Sequence, residues 1–225
     1  MAERYRKRGL DKTAARMVAF LDDAGVENAT VLEIGGGVGE IQLALLERGA
    51  ASAVNLELSP AYDADARALL REAGIDERRV ERRLHDIATD PDAVEPADVV
   101  VLHRVVCCYP DYERLLAAAA ARARRLLVFS HPPRNAGARA FLALQNLGLR
   151  LRRKEFRTFA HPPAAMLDVC RAQGLSRTYA HAGVVWRIEG LSRTATGRGA
   201  AWRPAVAGAT LGLVGSSSHT REGFR

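Results

Sequence analysis

Acidic residues and glycines in the first part of the chain are spaced for binding a charged ligand. Glu33 precedes Gly35 by two positions, and Gly37 and Gly39 follow at alternate positions. Glycines spaced in this way let the backbone turn tightly beneath a nucleotide-like ligand. A dinucleotide fingerprint would need a small residue where this chain has Glu40, and both acids would repel a pyrophosphate. The pattern therefore predicts a nucleotide-like ligand that carries positive charge.

A further acid gives this ligand a second anchor. Glu57 lies 22 positions after Gly35, close to the spacing of the acid that receives ribose hydroxyls in nucleotide-binding sheets. S-adenosylmethionine is a nucleoside with a sulfonium and an ammonium group, which acids attract. Through the ExGxGxG segment from Glu33 to Gly39 and through Glu57, the chain resembles the class I S-adenosylmethionine-dependent methyltransferases. The resemblance implies S-adenosyl-L-methionine as the cofactor.

The resemblance covers residues 30 to 191 and implies a set of cofactor contacts. Asp86 corresponds to the acid that accepts the adenine amino group, with Ile87 and Leu58 on either side of the ring. Asp86 can instead cap a loop, because Asp is common in turns, and Glu33 can be a buried acid satisfied by backbone amides. The implied cofactor-binding residues are Glu33, Gly35, Gly37, Gly39, Glu57, Leu58, Asp86, Ile87 and His103.

Candidate catalytic side chains follow the predicted fourth and fifth strands. Methyl transfer from a sulfonium has an excellent leaving group, so positioning does much of the work and a general base is optional. For a hydroxyl or protonated amine acceptor, the candidate bases are His131, His103 and Tyr109. His161 lies in a second His-Pro-Pro segment. Each of these residues can instead be an ordinary loop residue, which is the commoner role of such positions. The histidines lack metal-ligand spacing, so no metal is predicted.

Strands alternate with helices along the chain. The predicted fold is α/β, a Rossmann-like doubly wound, mostly parallel seven-stranded sheet whose final strand is antiparallel, because only Gly183 separates the last two strands. This is the class I methyltransferase fold that the resemblance implies. The predicted strands cover residues 31–34, 53–58, 80–84, 97–102, 125–130, 175–182 and 184–191. The predicted helices are centred on residues 14–21, 41–46, 61–73, 112–124, 139–151 and 163–173.

The chain of 225 residues divides into one folded domain with two flanking segments. Residues 1–28 are predicted to be a short basic arm and a helix that can act as a lid. Residues 29–191 form the methyltransferase domain, with a substrate-cap insertion at about 134–165. Residues 192–225 are rich in Gly, Ser, Ala and Arg, and we expect this tail to be largely disordered.

The composition of the chain limits the classes of partner that it can bind. The net charge is +7, but residues 192–225 hold five arginines and one glutamate, so the folded part is nearly balanced and gives little support for nucleic-acid binding. No apolar segment approaches the roughly 20 residues that cross a bilayer, and the first residues lack a signal core, so we expect a cytoplasmic protein with no membrane span. Three cysteines without CxxC spacing are expected to be reduced.

The acceptor is less well defined. The segment 103–110, HRVVCCYP, weakly resembles the corresponding loop of magnesium-protoporphyrin O-methyltransferases, but Cys108 stands where that family tends to carry His. We expect a methyltransferase that acts on a small, partly apolar metabolite through an O, N or C atom. Alternatives are an RNA methyltransferase, a non-catalytic cofactor-binding relative and, less favoured, a nicotinamide-dependent oxidoreductase. The apolar residues of the insertion are predicted to line an acceptor pocket or to pack in the core: Phe141, Leu144, Leu147, Phe156 and Phe159. Its basic residues are predicted to attract an acidic group on the acceptor or to face solvent: Arg150, Arg152, Arg153, Lys154 and Arg157.

Overall fold

One mixed sheet organises the chain, and the computed structural model describes residues 1–153 and 156–193. Its strands are β1 Thr30–Ile34, β2 Ser52–Glu57, β3 Val80–Leu84, β4 Ala97–Leu102, β5 Ala123–His131, β6 Leu175–Ala182 and β7 Arg187–Arg193. They lie in the order β3-β2-β1-β4-β5-β7-β6. The pairs among β1 to β5 are parallel, whereas β7 runs antiparallel to both β5 and β6. The predicted sheet, including its reversed final strand, is confirmed.

Helices cover both faces of this sheet. Their bounds are α1 Ala2–Arg8, α2 Lys12–Asp23, α3 Glu40–Glu47, α4 Asp63–Glu72, α5 Tyr112–Arg122, α6 Ala136–Leu151 and α7 Pro163–Ala172. Asp11 caps α2, since its Oδ1 accepts hydrogen bonds from the amides of Thr13 and Ala14 at 2.8 and 3.0 Å. Residues 99 to 102 of β4 are fully buried, as expected for a central strand covered on both faces.

Several boundaries differ from the prediction, and two of the differences concern the ends of the chain. The basic arm contains a helix that was not predicted, since residues 2–8 form α1. Ion pairs with distant acids hold it in place: Arg4 with Glu40 and Arg6 with Glu72, each at 2.8 Å. The last strand begins at Arg187 rather than at residue 184 and runs to Arg193, two residues into the predicted tail. The remainder of the tail, residues 194–225, lies outside the described residues, as does Lys154.

α6 stands apart from the core. Of its 16 residues only Leu142 is buried. The helix is tied to the returning chain by Asn146, whose side-chain amide donates to the Thr158 carbonyl at 2.8 Å and accepts from the Thr158 amide at 2.9 Å. Within residues 1–153 and 156–193, no helix is both long and apolar enough to cross a membrane.

Candidate functional site

The turn after β1 requires glycine for two reasons. Gly35 and Gly37 have φ angles of 64° and 57°, in the left-handed region that side chains disfavour. A Cβ on Gly35 would also lie 2.5 Å from a methyl carbon of Val105, so the turn packs directly against the loop after β4. Gly39 continues the turn as the residue before α3. The turn thus brings bare backbone to the carboxyl edge of the sheet, where ligands bind in doubly wound folds.

Glu33 lies beneath this turn. Its side chain is 2% exposed, and its Oε2 accepts a hydrogen bond from the Gln42 amide at 3.0 Å. Burial raises the pKa of Glu33 to about 8. A Cβ on Gly36 would lie 2.8 Å from the Glu33 carboxyl carbon and 2.3 Å from the Asn55 amide nitrogen, so both side chains pack under the turn. Glu33 does not line the cavity above, and this geometry favours the buried-acid alternative over direct contact with a ligand.

Glu57 ends β2 and faces the same turn. Its Oε2 accepts from the Gly37 amide at 2.8 Å, and its Oε1 accepts from the amides of Leu58 and Ser59 at 2.8 and 3.3 Å. These bonds fix the carboxylate at the rim of the turn. Leu58 beside it is 63% exposed. Because each carboxylate oxygen can accept two hydrogen bonds, Oε2 retains capacity for a further donor.

Asp86 follows β3 and is held by two partners. Its Oδ1 accepts from the Ala88 amide at 3.0 Å, and its Oδ2 accepts from the Tyr109 hydroxyl at 2.9 Å. Burial, together with the bond to Asp86, raises the pKa of Tyr109 to about 12. The phenol is therefore protonated near neutral pH. This state suits a hydrogen-bond donor that orients Asp86, and it does not suit a general base. Ile87 is buried next to it.

These residues enclose a cavity of about 490 Å³, the first cavity. Met1 covers it from the N-terminus, and a Cβ on Gly37 would lie 3.5 Å from the Met1 sulfur. Gly39 and Glu33 do not line it, while the other implied cofactor-binding residues do. Its lining includes Gly35, Gly37, Glu57, Leu58, Asp86, Ile87, His103, Arg104, Cys108, Tyr109 and Phe156.

His103 connects the first cavity to an ion-pair network on α1 and α2. Its Nδ1 lies 3.0 Å from the Ser130 hydroxyl, and its Nε2 lies 3.6 Å from Oδ2 of Asp11. The Ser130 oxygen already accepts from the Arg104 amide at 2.9 Å, so its hydroxyl can donate to Nδ1, which leaves the Nε2 proton toward Asp11. Nε2 makes no hydrogen bond to a described residue, so the ring meets Asp11 only through this longer contact.

Asp11 is the centre of that network. Arg104 donates to its Oδ2 at 2.7 Å and Arg4 at 3.4 Å. Burial alone would raise the pKa of Asp11, but His103, the Ala14 amide and Arg104 hold it well below its usual range. Ligand atoms of Asp11, Glu40 and His103 lie within 4.8 Å of one another, yet Arg4 and Arg104 already supply positive charge there. We assign no metal to this cluster.

Arg104 was not singled out from the sequence. It has a φ of 61°, a conformation that non-glycine residues adopt sparingly and that often marks functional sites. Its guanidinium carbon lies 5.0 Å from the centre of the Trp186 ring, and its Nε is buried without a hydrogen-bond partner among the described residues. Its position directly after His103 was the available signal, but the strain and the distant Trp186 are visible only in three dimensions.

A second cavity, of about 690 Å³, adjoins the first. Arg104, Cys108 and Phe156 line both. Its other walls come from the loop after β5, from α6 and from the β6–β7 turn. Most of these walls are apolar, including Pro132, Pro133, Phe141, Leu142, Val184, Val185 and Trp186. Leu144, Leu147 and Phe159 do not line it.

His131 lines neither cavity. It is 2% exposed, its Nδ1 lies 2.9 Å from the Pro132 carbonyl, and its Nε2 lies 3.6 Å from the buried Glu189 carboxylate. The side chain belongs to the face of β5 opposite Ser130, because neighbouring strand residues point to opposite faces. This geometry gives no support for His131 as a base. His161 is likewise occupied, since its Nε2 contacts the Tyr109 carbonyl at 3.1 Å and burial lowers its pKa.

Cys107 and Cys108 lie side by side where the cavities meet. Their sulfurs are 3.6 Å apart, and each contacts the Arg104 carbonyl, at 3.6 and 3.4 Å. Neither they nor Cys170 form a disulfide in this structure. Adjacent residues have Cα atoms about 3.8 Å apart, which is closer than disulfides normally allow.

Comparison with known proteins supports the interpretation of this fold. The family model for the methyltransferase domain matches residues 2–183. Among proteins of curated function, none matches this chain in sequence.

Several solved structures share the fold at low identity. Magnesium protoporphyrin IX methyltransferase from Synechocystis PCC 6803, with bound SAH, is 20% identical with a TM-score of 0.66, covering 81% of this chain and 83% of that one. An O-methyltransferase family protein from Burkholderia thailandensis is 20% identical with a TM-score of 0.65, covering 83% and 57%. An O-methyltransferase family 2 protein from Planctomyces limnophilus DSM 3776, in complex with apigenin, is 17% identical with a TM-score of 0.59, covering 85% and 64%. By its family match and its fold, the chain belongs to the class I S-adenosylmethionine-dependent methyltransferases.

Proposed function

We propose that this chain methylates a small, partly apolar acceptor that carries an acidic group. The observation that carries the proposal is the pair of adjoining cavities, which share Arg104, Cys108 and Phe156 as common walls. The first cavity offers backbone and carboxylates, and the second offers apolar walls with one guanidinium. This division suits a polar nucleoside on one side and an apolar, anionic molecule on the other.

The first cavity suits S-adenosylmethionine by its donor set. Oε2 of Glu57 has acceptor capacity for a ribose hydroxyl, and Asp86 keeps acceptor capacity for an adenine amino group. Leu58 and Ile87 supply apolar surface for the ring, and the glycine turn admits close approach. When bound, the cofactor would supply a methyl group on a positively charged sulfur.

Among the catalytic candidates, His103 and Tyr109 line the first cavity and His131 does not. We propose that His103 and Tyr109 position other groups: His103 holds Asp11, and Tyr109 holds Asp86. In these roles neither His103 nor Tyr109 acts as a general base. An acceptor that is already anionic, such as a carboxylate or phenolate, needs none.

Arg104 is the group we assign to the acceptor. Its guanidinium pairs with Asp11 and stacks on Trp186, and its buried Nε lacks a partner among the described residues. An anionic oxygen could satisfy that donor and be held at the junction of the cavities. A small molecule of this kind, apigenin, is bound in the solved structure of the Planctomyces limnophilus protein, which shares this fold.

We propose that residues 1–28 include a lid formed by α1. Met1 covers the first cavity, and α1 is fastened by the pairs of Arg4 with Glu40 and Arg6 with Glu72. The exposed pair of Arg6 with Glu72 can open at modest cost, whereas opening the pair of Arg4 with the buried Glu40 requires that acid to become solvated. Closure would exclude water from the site.

Calorimetric titration with S-adenosylhomocysteine tests the cofactor site. We expect micromolar binding by the wild type, a loss of at least tenfold for Glu57→Ala, and no change for Glu95→Ala, which removes an exposed acid elsewhere. Nicotinamide dinucleotide should not bind. Equal affinity of the two variants would refute the assigned role of Glu57.

Transfer of a labelled methyl group tests the acceptor class. The panel should contain aromatic and aliphatic carboxylic acids, phenols, their neutral esters or ethers, and total RNA. We expect turnover with anionic members, reduced at least tenfold by Arg104→Gln and unaffected by Arg124→Gln, an exposed control. Labelling of RNA, or equal turnover of neutral analogues, would overturn the proposal. Tight cofactor binding with no labelling at all would favour a non-catalytic relative.

A further inference from the structure

The outer face of α6 exposes four large apolar side chains. Phe141, Leu144, Leu147 and Leu151 are between 51% and 78% exposed. Their spacing of three, three and four residues places them along one side of the helix. Contiguous apolar surface of this kind is uncommon on proteins that have no partner there.

Three further side chains extend this surface around the mouth of the second cavity. Phe156, Val184 and Val185 are 51%, 93% and 66% exposed, and they line that cavity together with Phe141. Seven of the ten large apolar side chains that are exposed in the described part of the chain therefore belong to one region. We call it the apolar rim, which comprises Phe141, Leu144, Leu147, Leu151, Phe156, Val184 and Val185.

The charged residues between positions 134 and 153, the segment that contains α6, all have one sign. Residues 134–153 contain five arginines and no acid. All five are exposed, and none forms a salt bridge with another described residue, whereas Arg6 and Arg82 in the body of the domain pair with Glu72 and Asp63. The five are Arg134, Arg139, Arg150, Arg152 and Arg153.

We propose that α6 and the apolar rim dock on an anionic lipid surface. A helix with a Leu and Phe face and only arginines among its charged residues has the composition of interfacial helices, which bury the apolar face among acyl chains while the cations meet anionic headgroups. A second copy of this chain fits less well. A twofold dimer through this face would oppose the same patch to itself and bring ten arginines together, none of which has a salt-bridge partner among the described residues.

Docking in this way would turn the mouth of the second cavity toward the bilayer, because Phe141, Val184 and Val185 belong to both. An acceptor dissolved in the membrane could then enter without crossing water. This consequence rests on the proposed function, but lipid binding itself needs neither cofactor nor acceptor, so the two can fail separately.

Cosedimentation of the full chain with vesicles tests the proposal. We expect binding to phosphatidylcholine vesicles that contain phosphatidylglycerol, weakened by salt, and little binding to phosphatidylcholine alone. Arg150→Gln with Arg153→Gln should weaken binding about 25-fold, at about fivefold per arginine. The matched control is Arg67→Gln with Arg124→Gln, which removes the same charge from exposed sites elsewhere.

The apolar contribution is tested in the same assay. Leu144→Ser should weaken binding about tenfold or more, while Leu84→Ser, at a residue 60% exposed on β3, should not. Retained S-adenosylhomocysteine binding and circular dichroism confirm that each variant folds. Three results would overturn the proposal: no binding to anionic vesicles, equal loss in the variants and their controls, or a dimer in sedimentation that Leu144→Ser dissociates.

Discussion

Replacing Glu33 by Gln should change how stability depends on pH. The carboxyl is 2% exposed, and burial raises its pKa from the ordinary 4.5 to about 8. Below pH 4.5 it is protonated in both the folded and the unfolded chain. Between pH 4.5 and 8 the folded protein keeps a proton that the unfolded chain has lost, so the free energy of unfolding falls as pH rises.

The size of this effect follows from the two pKa values. One pKa unit corresponds to about 1.4 kcal/mol, so between pH 5 and pH 8 the wild type should lose about 3 kcal/mol of stability through Glu33. Gln cannot ionise. Its side-chain carbonyl can still accept the hydrogen bond that the Gln42 amide donates to Oε2 of Glu33 in the wild type. The Glu33→Gln variant should therefore gain about 3 kcal/mol relative to the wild type over this range.

Urea unfolding at a series of pH values measures the difference directly. Subtracting the wild-type profile removes contributions from all other titrating groups. Glu95→Gln, at an exposed acid, controls for the loss of one carboxylate and should leave the profile unchanged. Parallel profiles for Glu33→Gln and the wild type would refute the argument that Glu33 is buried as a protonated acid.

Three further perturbations test other parts of the site. Gly35→Ala should destabilise the fold by at least ~1 kcal/mol more than Gly74→Ala in urea unfolding. Both glycines have positive φ, but only the new methyl group at position 35 would meet a neighbour at 2.5 Å. Equal losses of stability in the two variants would contradict this packing. Tyr109→Phe should change S-adenosylhomocysteine affinity less than tenfold and leave any turnover in place, since the phenol only orients Asp86; abolished turnover with intact binding would restore Tyr109 as a base. Arg4→Gln should speed release of S-adenosylhomocysteine in stopped-flow fluorescence by loosening α1, and an unchanged rate would argue against the lid.

Local patterns predicted most of the fold. β3, β4 and β6 were predicted with the observed bounds; β4 is a continuous apolar run, whereas β3 is only weakly marked in the sequence. α1 was missed because a seven-residue basic helix has no apolar stripe, and its stabilising partners Glu40 and Glu72 are distant in sequence. The boundaries of an element can be predicted from sequence when its own residues and the adjacent turn residues determine them. They cannot be predicted when residues distant in sequence stabilise the element.

For the site, the sequence by itself determined the glycine turn, the carboxylates Glu57 and Asp86 and their common edge of the sheet, because backbone conformation and strand polarity follow from local residue types. Only the tertiary structure decided which side chains face the two cavities. It turned Glu33 beneath the turn and His131 to the opposite face of β5, and it brought Arg104 between Asp11 and Trp186. The physical reason is that the direction of a side chain, and whether its charge is compensated, depend on packing partners contributed by distant segments.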